Sequence, residues 1–381
     1  MPGYTGPEDI LYISGIVLSL FLSFILFSKN KKTTPDIILG IWLLVSGADL
    51  FTFFLFFTGA YTHMPAVTAL GFPMPLLQGP FLFLYTKYQT GNNAFRRKDL
   101  LHFAPALCSL LMFFPFYLLS YADQVRVFQE EGKGYMVQMS VNVIAIMVSG
   151  VIYIVLSMRR LLSFRKKIVD RFSNTDKIRF NWLLYLIIGI ACIWVVILFV
   201  GEDHLIFASS ALFILWLGYY GIKQSQVFNQ HAEVDWTYFT TSQDHVQENE
   251  MDGSEHTKVK YSRSALQAEE AIRIHNALQK RMAEQKPFTD PELTLDALAA
   301  ILQVQPDHLS QVINSLEGKN FYDYINTLRV EEFLRKTQNG DDIRYTLLAL
   351  AFDCGFNSKA SFNRNFKKIM GTSPSMYLNK G

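Results

Sequence analysis

Seven stretches of 18 to 23 residues, nearly free of charged side chains, fill positions 10–27, 37–57, 67–85, 100–119, 136–158, 180–200 and 205–222. A helix needs about 20 apolar residues to cross a hydrocarbon layer, and that layer offers the backbone no water to bond. Runs of this length and number restrict residues 1–223 to a bundle of seven transmembrane helices, and the expected fold class is all-α. No basic segment precedes residue 10, so the first run is expected to be retained rather than cleaved. Beyond residue 223 the apolar runs stop, and the chain reads as an ordinary soluble sequence.

The connections between the runs alternate in charge. The first holds Lys29, Lys31 and Lys32; the third holds Lys87, Arg96, Arg97 and Lys98. The fifth holds Arg159, Arg160, Arg165, Lys166, Lys167, Arg171, Lys177 and Arg179. That makes fifteen basic residues on one side, against only Arg126 and Lys133 on the other. Short loops rich in Lys and Arg stay cytoplasmic. The N-terminus is therefore expected outside, and an odd number of spans puts the C-terminal part inside.

Between Gln224 and Thr257 there is no Lys or Arg, while Glu233, Asp235, Asp244, Glu248, Glu250, Asp252 and Glu255 accumulate. Residues 224–264 read as an acidic, flexible linker. They lead into a domain at 265–381.

That domain contains an internal repeat. Leu295, Leu298 and Ala299 match Leu347, Leu350 and Ala351 at an offset of 52. After a turn one residue longer in the second copy, the offset becomes 53, pairing Leu309 with Phe362, Ile313 with Phe366, Gly318 with Gly371 and Tyr324 with Tyr377. Each copy reads as a short helix, a tight turn and a second short helix, a helix-turn-helix unit. Pro306 suits the opening of the second helix in copy one, and Asn357 or Ser358 suits the cap in copy two. Gly355 sits where the turn needs positive φ, and Gln303 must meet that demand in copy one or turn differently. Between the copies, Phe321, Tyr324, Ile325, Leu328, Phe333 and Leu334 recur at helical spacing and describe a connecting helix.

Two helix-turn-helix units at a fixed distance can place two helices in successive major grooves, about 34 Å apart. The copies differ in charge. From Cys354 to Gly381 there are Lys359, Arg364, Lys367, Lys368 and Lys380 and no acid. Such cations neutralise phosphates. Residues 306–316 instead carry Asp307, His308, Ser310, Gln311 and Asn314, without Lys or Arg, and are equipped to read bases through amides and hydroxyls.

The run Gly355-Phe-Asn-Ser-Lys-Ala-Ser-Phe-Asn-Arg-Asn-Phe-Lys-Lys-Ile-Met-Gly-Thr-Ser-Pro-Ser-Met-Tyr377 resembles the AraC/XylS family of transcription regulators. His308-Leu-Ser-Gln-Val-Ile-Asn314, Asn320-Phe-Tyr-Asp-Tyr-Ile-Asn326 and Arg329-Val330 resemble the same family, so the likeness covers residues 260–380. Leu378 stands where the family often has a basic residue. The resemblance implies contact with double-stranded DNA by Asp307, Ser310 and Gln311 in the first unit, and by Lys359, Ala360, Asn363 and Arg364 in the second. Asn314 and Lys367 join them on the reading of the residues themselves. The whole is then expected to be a multi-pass sensor of a bacterial inner membrane, working as a homodimer and able to contact RNA polymerase. Its input is a small-molecule or peptide stimulus passed through the seventh span and the linker.

Within the spans, Asp49 is the conspicuous group, since an ionisable residue inside a bilayer is costly. Trp42, Ser46, Asp49 and Phe53 share a helical face, as do Gln138, Asn142, Ser149 and Tyr153. Pro73, Pro75 and Pro80 surround Gln78 and are expected to kink or break the third span. Asp49, Gln78, Asn142 and Ser149 are candidate ligand-binding residues; the alternative role is hydrogen bonding between helices. Cys108, Cys192 and Cys354 have no neighbours at metal-ligand spacing. His63, Glu202, Asp203 and His204 on outer connections read as solvated polar groups, so no metal and no cofactor is expected. The absence of Lys from residues 205–222 argues against a retinal Schiff base. No P-loop, nucleophile elbow or HExxH pattern supports an enzyme. The competing readings are a transporter or membrane enzyme with a regulatory tail, and a scaffold whose helix-turn-helix units bind protein.

The loop charges carry a direct test. Reporter fusions at residues 60 and 125 should score as external, and fusions at 95, 170 and 381 as cytoplasmic. A cytoplasmic score at 125 would refute the seven-span order.

Overall fold

The computed structural model describes residues 7–91, 95–174, 181–223, 268–338 and 346–378. The linker expected at 224–264 lies outside them. The chain is all-α: among the described residues no strand forms, and one isolated bridge joins Phe172 to Thr294. The residues fall into two compact units, Met1–Leu162 with Phe180–Glu233, and Ser163–Arg179 with Val234–Gly381. Residues 163–174 thus group with the C-terminal residues, not with the apolar helices around them.

In the first unit, α1 (Pro7–Phe27) and α2 (Thr34–Phe57) realise the first two apolar runs. Thr33 caps α2: its side chain accepts from the Asp36 amide while the Asp36 carboxylate accepts from the Thr33 amide. The two helices approach closely where small residues meet. A Cβ on Gly47 would lie 2.2 Å from Ser19 Oγ, and Ser23 Oγ donates to the Gly40 carbonyl over 2.9 Å. The fifth, sixth and seventh runs become α8 (Met136–Arg171), α9 (Asn181–Phe199) and α10 (Asp203–Lys223).

The third run breaks where its prolines predict a kink or break, and the fourth, expected as a single span, divides as well. The third divides into α3 (Pro65–Ala69) and α4 (Pro75–Gln89). Pro73 and Pro75 supply no N–H donor, and each ring crowds the preceding turn. The fourth divides into a 3₁₀ segment (Arg97–Phe103), α5 (Ala104–Met112) and α6 (Phe114–Tyr117), the last break coinciding with Pro115. α7 (Tyr121–Gln129) follows. Four helices among the described residues are long and apolar enough to cross a membrane: Asp9–Phe27, Thr34–Phe57, Met136–Arg171 and Asn181–Phe199. A count of seven is therefore not reached by unbroken helices. Leu22, Leu39, Trp42, Leu82, Tyr85, Leu186 and Trp194 form the core, while Phe24, Val137, Ile144 and Phe199 stand exposed. Apolar groups on both faces suit a hydrocarbon surround.

In the second unit, α11 (Ala268–Gln285) leads to α12 (Leu295–Leu302), α13 (Pro306–Leu316), α14 (Phe321–Gln338), α15 (Leu347–Asp353), α16 (Lys359–Met370) and α17 (Pro374–Leu378). The repeat is visible in three dimensions. Thr294 and Thr346 cap α12 and α15 by the same side-chain bond, to the amides of Ala297 and Ala349. Leu298, Ala299, Leu309 and Ile313 lie in one core; Leu350, Ala351, Phe362 and Phe366 lie in another. α14 serves both, giving Phe321, Tyr324 and Ile325 to the first and Val330 and Phe333 to the second. The two turns solve one problem differently. Gly355 takes φ +95°, and Gln303 accepts the left-handed conformation at φ 56°. Pro306 opens α13, and Ser358 caps α16 by accepting from the Ser361 amide. The repeat fails at its last pair: Tyr324 is buried, whereas Tyr377 is exposed.

Candidate nucleic-acid interface

The faces of α13 and α16 that leave the cores hold the residues singled out for DNA. On α13, Leu309, Val312 and Ile313 point inward. Asp307, Gln311 and Asn314 are exposed and Ser310 half-buried, on one stripe at helical spacing. Asn314 Nδ2 donates to the Ser310 carbonyl over 2.9 Å. On α16, Ser361, Phe362, Asn365 and Phe366 point inward, while Lys359, Ala360, Asn363, Arg364 and Lys367 are all exposed. The α16 stripe carries three cations and no acid; the α13 stripe carries one acid and no cation.

Polar contacts that sequence reasoning missed set the position of α16. Asn365 Nδ2 donates to the Tyr322 hydroxyl over 2.8 Å, and Arg364 Nη2 reaches the same oxygen at 3.3 Å. Lys368 pairs with Asp323 at 2.6 Å. Tyr322 and Asp323 lie on α14, so α16 is fixed to the helix that joins the two repeats. These partners are more than 40 residues apart in the chain, and no local pattern announces them.

Arg329 of α14 is buried at 1 % exposure. Its Nε donates to the Phe288 carbonyl and its Nη2 to the Asp290 carbonyl, each over 2.7 Å. Nη2 also reaches Ser173 Oγ at 3.1 Å, and Nη1 the Ser173 carbonyl at 3.3 Å. Burial pulls its pKa down to about 10, so the group stays charged at neutral pH. One turn on, Glu332 takes both nitrogen contacts of Arg335, at 2.9 and 2.6 Å, and both of its oxygens accept from Lys286 at 2.9 Å. Hydrogen bonds from Arg335, then those from Lys286, hold its carboxyl down at about 2 despite its burial.

Residues 163–174 join this unit through main-chain and side-chain bonds. Ser173 Oγ donates to the Leu293 carbonyl over 2.6 Å, and Asn326 Nδ2 donates to the Ser173 carbonyl over 3.0 Å. Arg171 lies 3.4 Å from Asp296 and 3.5 Å from Asp307. Asp307, expected to face DNA, is thus engaged by a basic residue of the fifth connection. Burial raises the carboxyl pKa of Asp296, and the Arg171 charge opposes that rise.

The first unit holds a cavity of about 410 Å³, within the ~300–1,000 Å³ range of ligand pockets. Asp49, Gln78 and Asn142 line it; Ser149 does not. Gln78 Oε1 accepts from Trp42 Nε1 at 2.6 Å and Ser46 Oγ at 3.2 Å, and its Nε2 reaches Asp49 at 3.4 Å. Asn142 accepts from Ser109 at 2.7 Å and donates to the Phe72 carbonyl over 2.9 Å. Sequence spacing put Ser149 on the Asn142 stripe, but only the Asn142 end of that stripe reaches the cavity. Among the described residues no cluster suited to a metal ion occurs.

Residues 298–380 match a family model described as a helix-turn-helix domain, of the AraC type. The matched stretch runs from the middle of α12 to beyond α17, covering almost all of both units of the repeat. No curated protein and no solved structure matches the chain. The C-terminal residues are an AraC-type helix-turn-helix domain, the DNA-binding part of a transcription regulator.

The Glu332 clamp makes a prediction about pH. A carboxyl held at about 2 against an ordinary 4.5 stabilises the fold above pH 4.5, and that stabilisation is lost as pH falls toward 2. Its partners are partly exposed, so Glu332→Gln should destabilise the unit by only about 1–2 kcal/mol at neutral pH. Hydrogen exchange of α14 in the full-length protein checks this. The gap between variant and wild type should close as the medium is acidified, and equal protection at pH 7 would remove the clamp from the account.

Proposed function

We propose that the chain is a membrane-tethered, sequence-specific regulator of transcription. Its apolar unit senses a stimulus, and its cytoplasmic C-terminal domain binds double-stranded DNA. It belongs in this reading to a bacterial inner membrane, with the N-terminus outside, and acts as a homodimer that can engage RNA polymerase. The observation that carries the DNA-binding half is the stripe on α16: Lys359, Asn363, Arg364 and Lys367 exposed on one face, with no acid among them and a packed aromatic face behind. Cations of this kind supply the salt-dependent part of affinity, and Arg and Asn the base contacts. Two copies raise the effective concentration of the weaker first reader.

The membrane half rests on the loop charges and on the length of the apolar helices. The sensing role is assigned to the cavity, where the polar chain from Trp42 through Gln78 to Asp49 stands in mostly apolar walls that also hold Asn142, Asp203 and Ser210. A stimulus acts only if it binds two states with different affinity. A group whose pairing changes between states supplies that difference.

Operator fragments recovered by genome-wide mapping with the full-length protein provide the substrate for a binding test. Arg364→Ala should cost about 1–3 kcal/mol and relax preference at one base position. Lys367→Ala should weaken all sequences alike and reduce the salt slope by about one. Tyr322→Phe serves as the control for displacement of Arg364. Unchanged operator affinity in Arg364→Ala would sink the assignment of α16 as a reading helix.

Asp49→Asn, which keeps the shape and removes the charge, addresses the sensing half. The variant should insert and bind the operator normally, while reporter output stays fixed across growth conditions that change the wild-type output. A response of wild-type amplitude would leave Asp49 with a structural role alone.

A further inference from the structure

The first reading helix lacks the electrostatic means to hold DNA. Its exposed stripe is Asp307, Ser310, Gln311 and Asn314, and Asp296 at the start of α12 adds a second carboxylate beside Arg171. Phosphates approaching this face meet negative charge with no cation from α13 itself.

The missing charge stands on a different part of the chain. Residues 163–174 are built into this unit: Phe172 bridges to Thr294, Ser173 is 1 % exposed, and its oxygens are held by Asn326 and Arg329. This anchoring sets Arg171 against both carboxylates, at 3.4 Å from Asp296 and 3.5 Å from Asp307. Lys167 lies one turn earlier on α8, four residues before Arg171 and hence on the same helical face, and it is exposed. The Asp307 carboxylate, with which Arg171 pairs, is itself 79 % exposed. The end of α8 therefore comes up to the rim of the first reading helix with a neutralising group and a further cation in line.

We infer that the basic end of α8 is part of the DNA-binding surface, with Arg171 offsetting Asp296 and Asp307 and Lys167 contacting a backbone phosphate beside the first reading helix. The interface is then discontinuous in sequence: bases are addressed by α13, and the phosphate charge for that half comes from the fifth connection. Arg171 acts as a positioning and neutralising residue, whereas Lys167 touches the ligand. The opposite role for the same segment is a block that keeps α13 from DNA, and the two roles predict opposite signs.

This inference rests on the DNA-binding reading of the C-terminal domain, and the test separates the two. Full-length protein in lipid nanodiscs is titrated with an operator fragment over a range of salt concentrations. Lys167→Gln, an exposed substitution, should lower affinity several-fold and reduce the salt slope by about one, and Lys167→Arg should restore both. Arg171→Gln should weaken binding further, with hydrogen exchange of α14 reporting whether the unit stays folded. Wild-type affinity and slope in Lys167→Gln would overturn the inference, and tighter binding would overturn it in favour of the block. Arg364→Ala is run alongside: if that variant also binds like wild type, the DNA-binding reading is what has failed.

Discussion

The second unit depends on one buried cation. Arg329 carries a full charge at 1 % exposure, and no carboxylate lies among its hydrogen-bond partners. Burying a charge is expensive unless every donor is satisfied. Here the acceptors are main-chain carbonyls of Phe288, Asp290 and Ser173, the Ser173 hydroxyl and the Asn326 side chain. The guanidinium carbon also sits 6.0 Å from the Phe356 ring centroid. Three stretches distant in sequence, around 173, 288 and 356, are tied to α14 by this one side chain. Gly355 is part of the same constraint. A Cβ there would lie 2.4 Å from the Phe288 carbonyl and 2.9 Å from Arg329 Nε, so both the positive φ and the crowding demand glycine.

How much of this was legible depends on whether the partners are local. The repeat was readable because its apolar positions recur at offsets of 52 and then 53, and all but Tyr377 lie in or against a core. Gly355 and Gln303 were readable because a helix-turn-helix needs a left-handed residue at that point. Arg329 was noticed only as part of a family resemblance; most of its partners are main-chain carbonyls, up to 156 residues away, and any residue type supplies one. Tyr322 is similar, because its hydroxyl serves Asn365 and Arg364 across the interface of two helices. In the first unit the apolar runs were plain, yet hydropathy does not register whether a run is one helix or several. Pro73, Pro75 and Pro115 decide that by removing donors from the helix ladder. Asp49 and Gln78 meet at one cavity because they sit on facing helices, whereas Ser149, two turns from Asn142, is carried past it.

The charges of the fifth connection show one set of residues under two constraints. As loop charges in the proposed membrane reading, Arg165, Lys166, Lys167 and Arg171 would bias orientation, and any order would serve. As members of the second unit they are placed individually. Arg171 meets two carboxylates, and Ser173 offers its carbonyl and hydroxyl to Arg329 and Asn326. Counting loop charges captures the first constraint and is blind to the second.

A cut at residue 265 separates Arg329 from one of its hydrogen-bond partners, Ser173. The C-terminal sequence supplies Arg329 with Phe288, Asp290 and Asn326, but not with Ser173, whose two oxygens take one bond from Nη1 and one from Nη2. Without that segment Nη1 keeps only the 3.4 Å contact to Asn326, and a buried donor short of acceptors destabilises by about 1–3 kcal/mol. The C-terminal unit is thus completed by the end of α8 and the residues that follow it, α8 being the longest helix among the described residues. Any event that shifts the end of α8 bears on the acceptors of Arg329 by covalent continuity, without passing through residues 224–264.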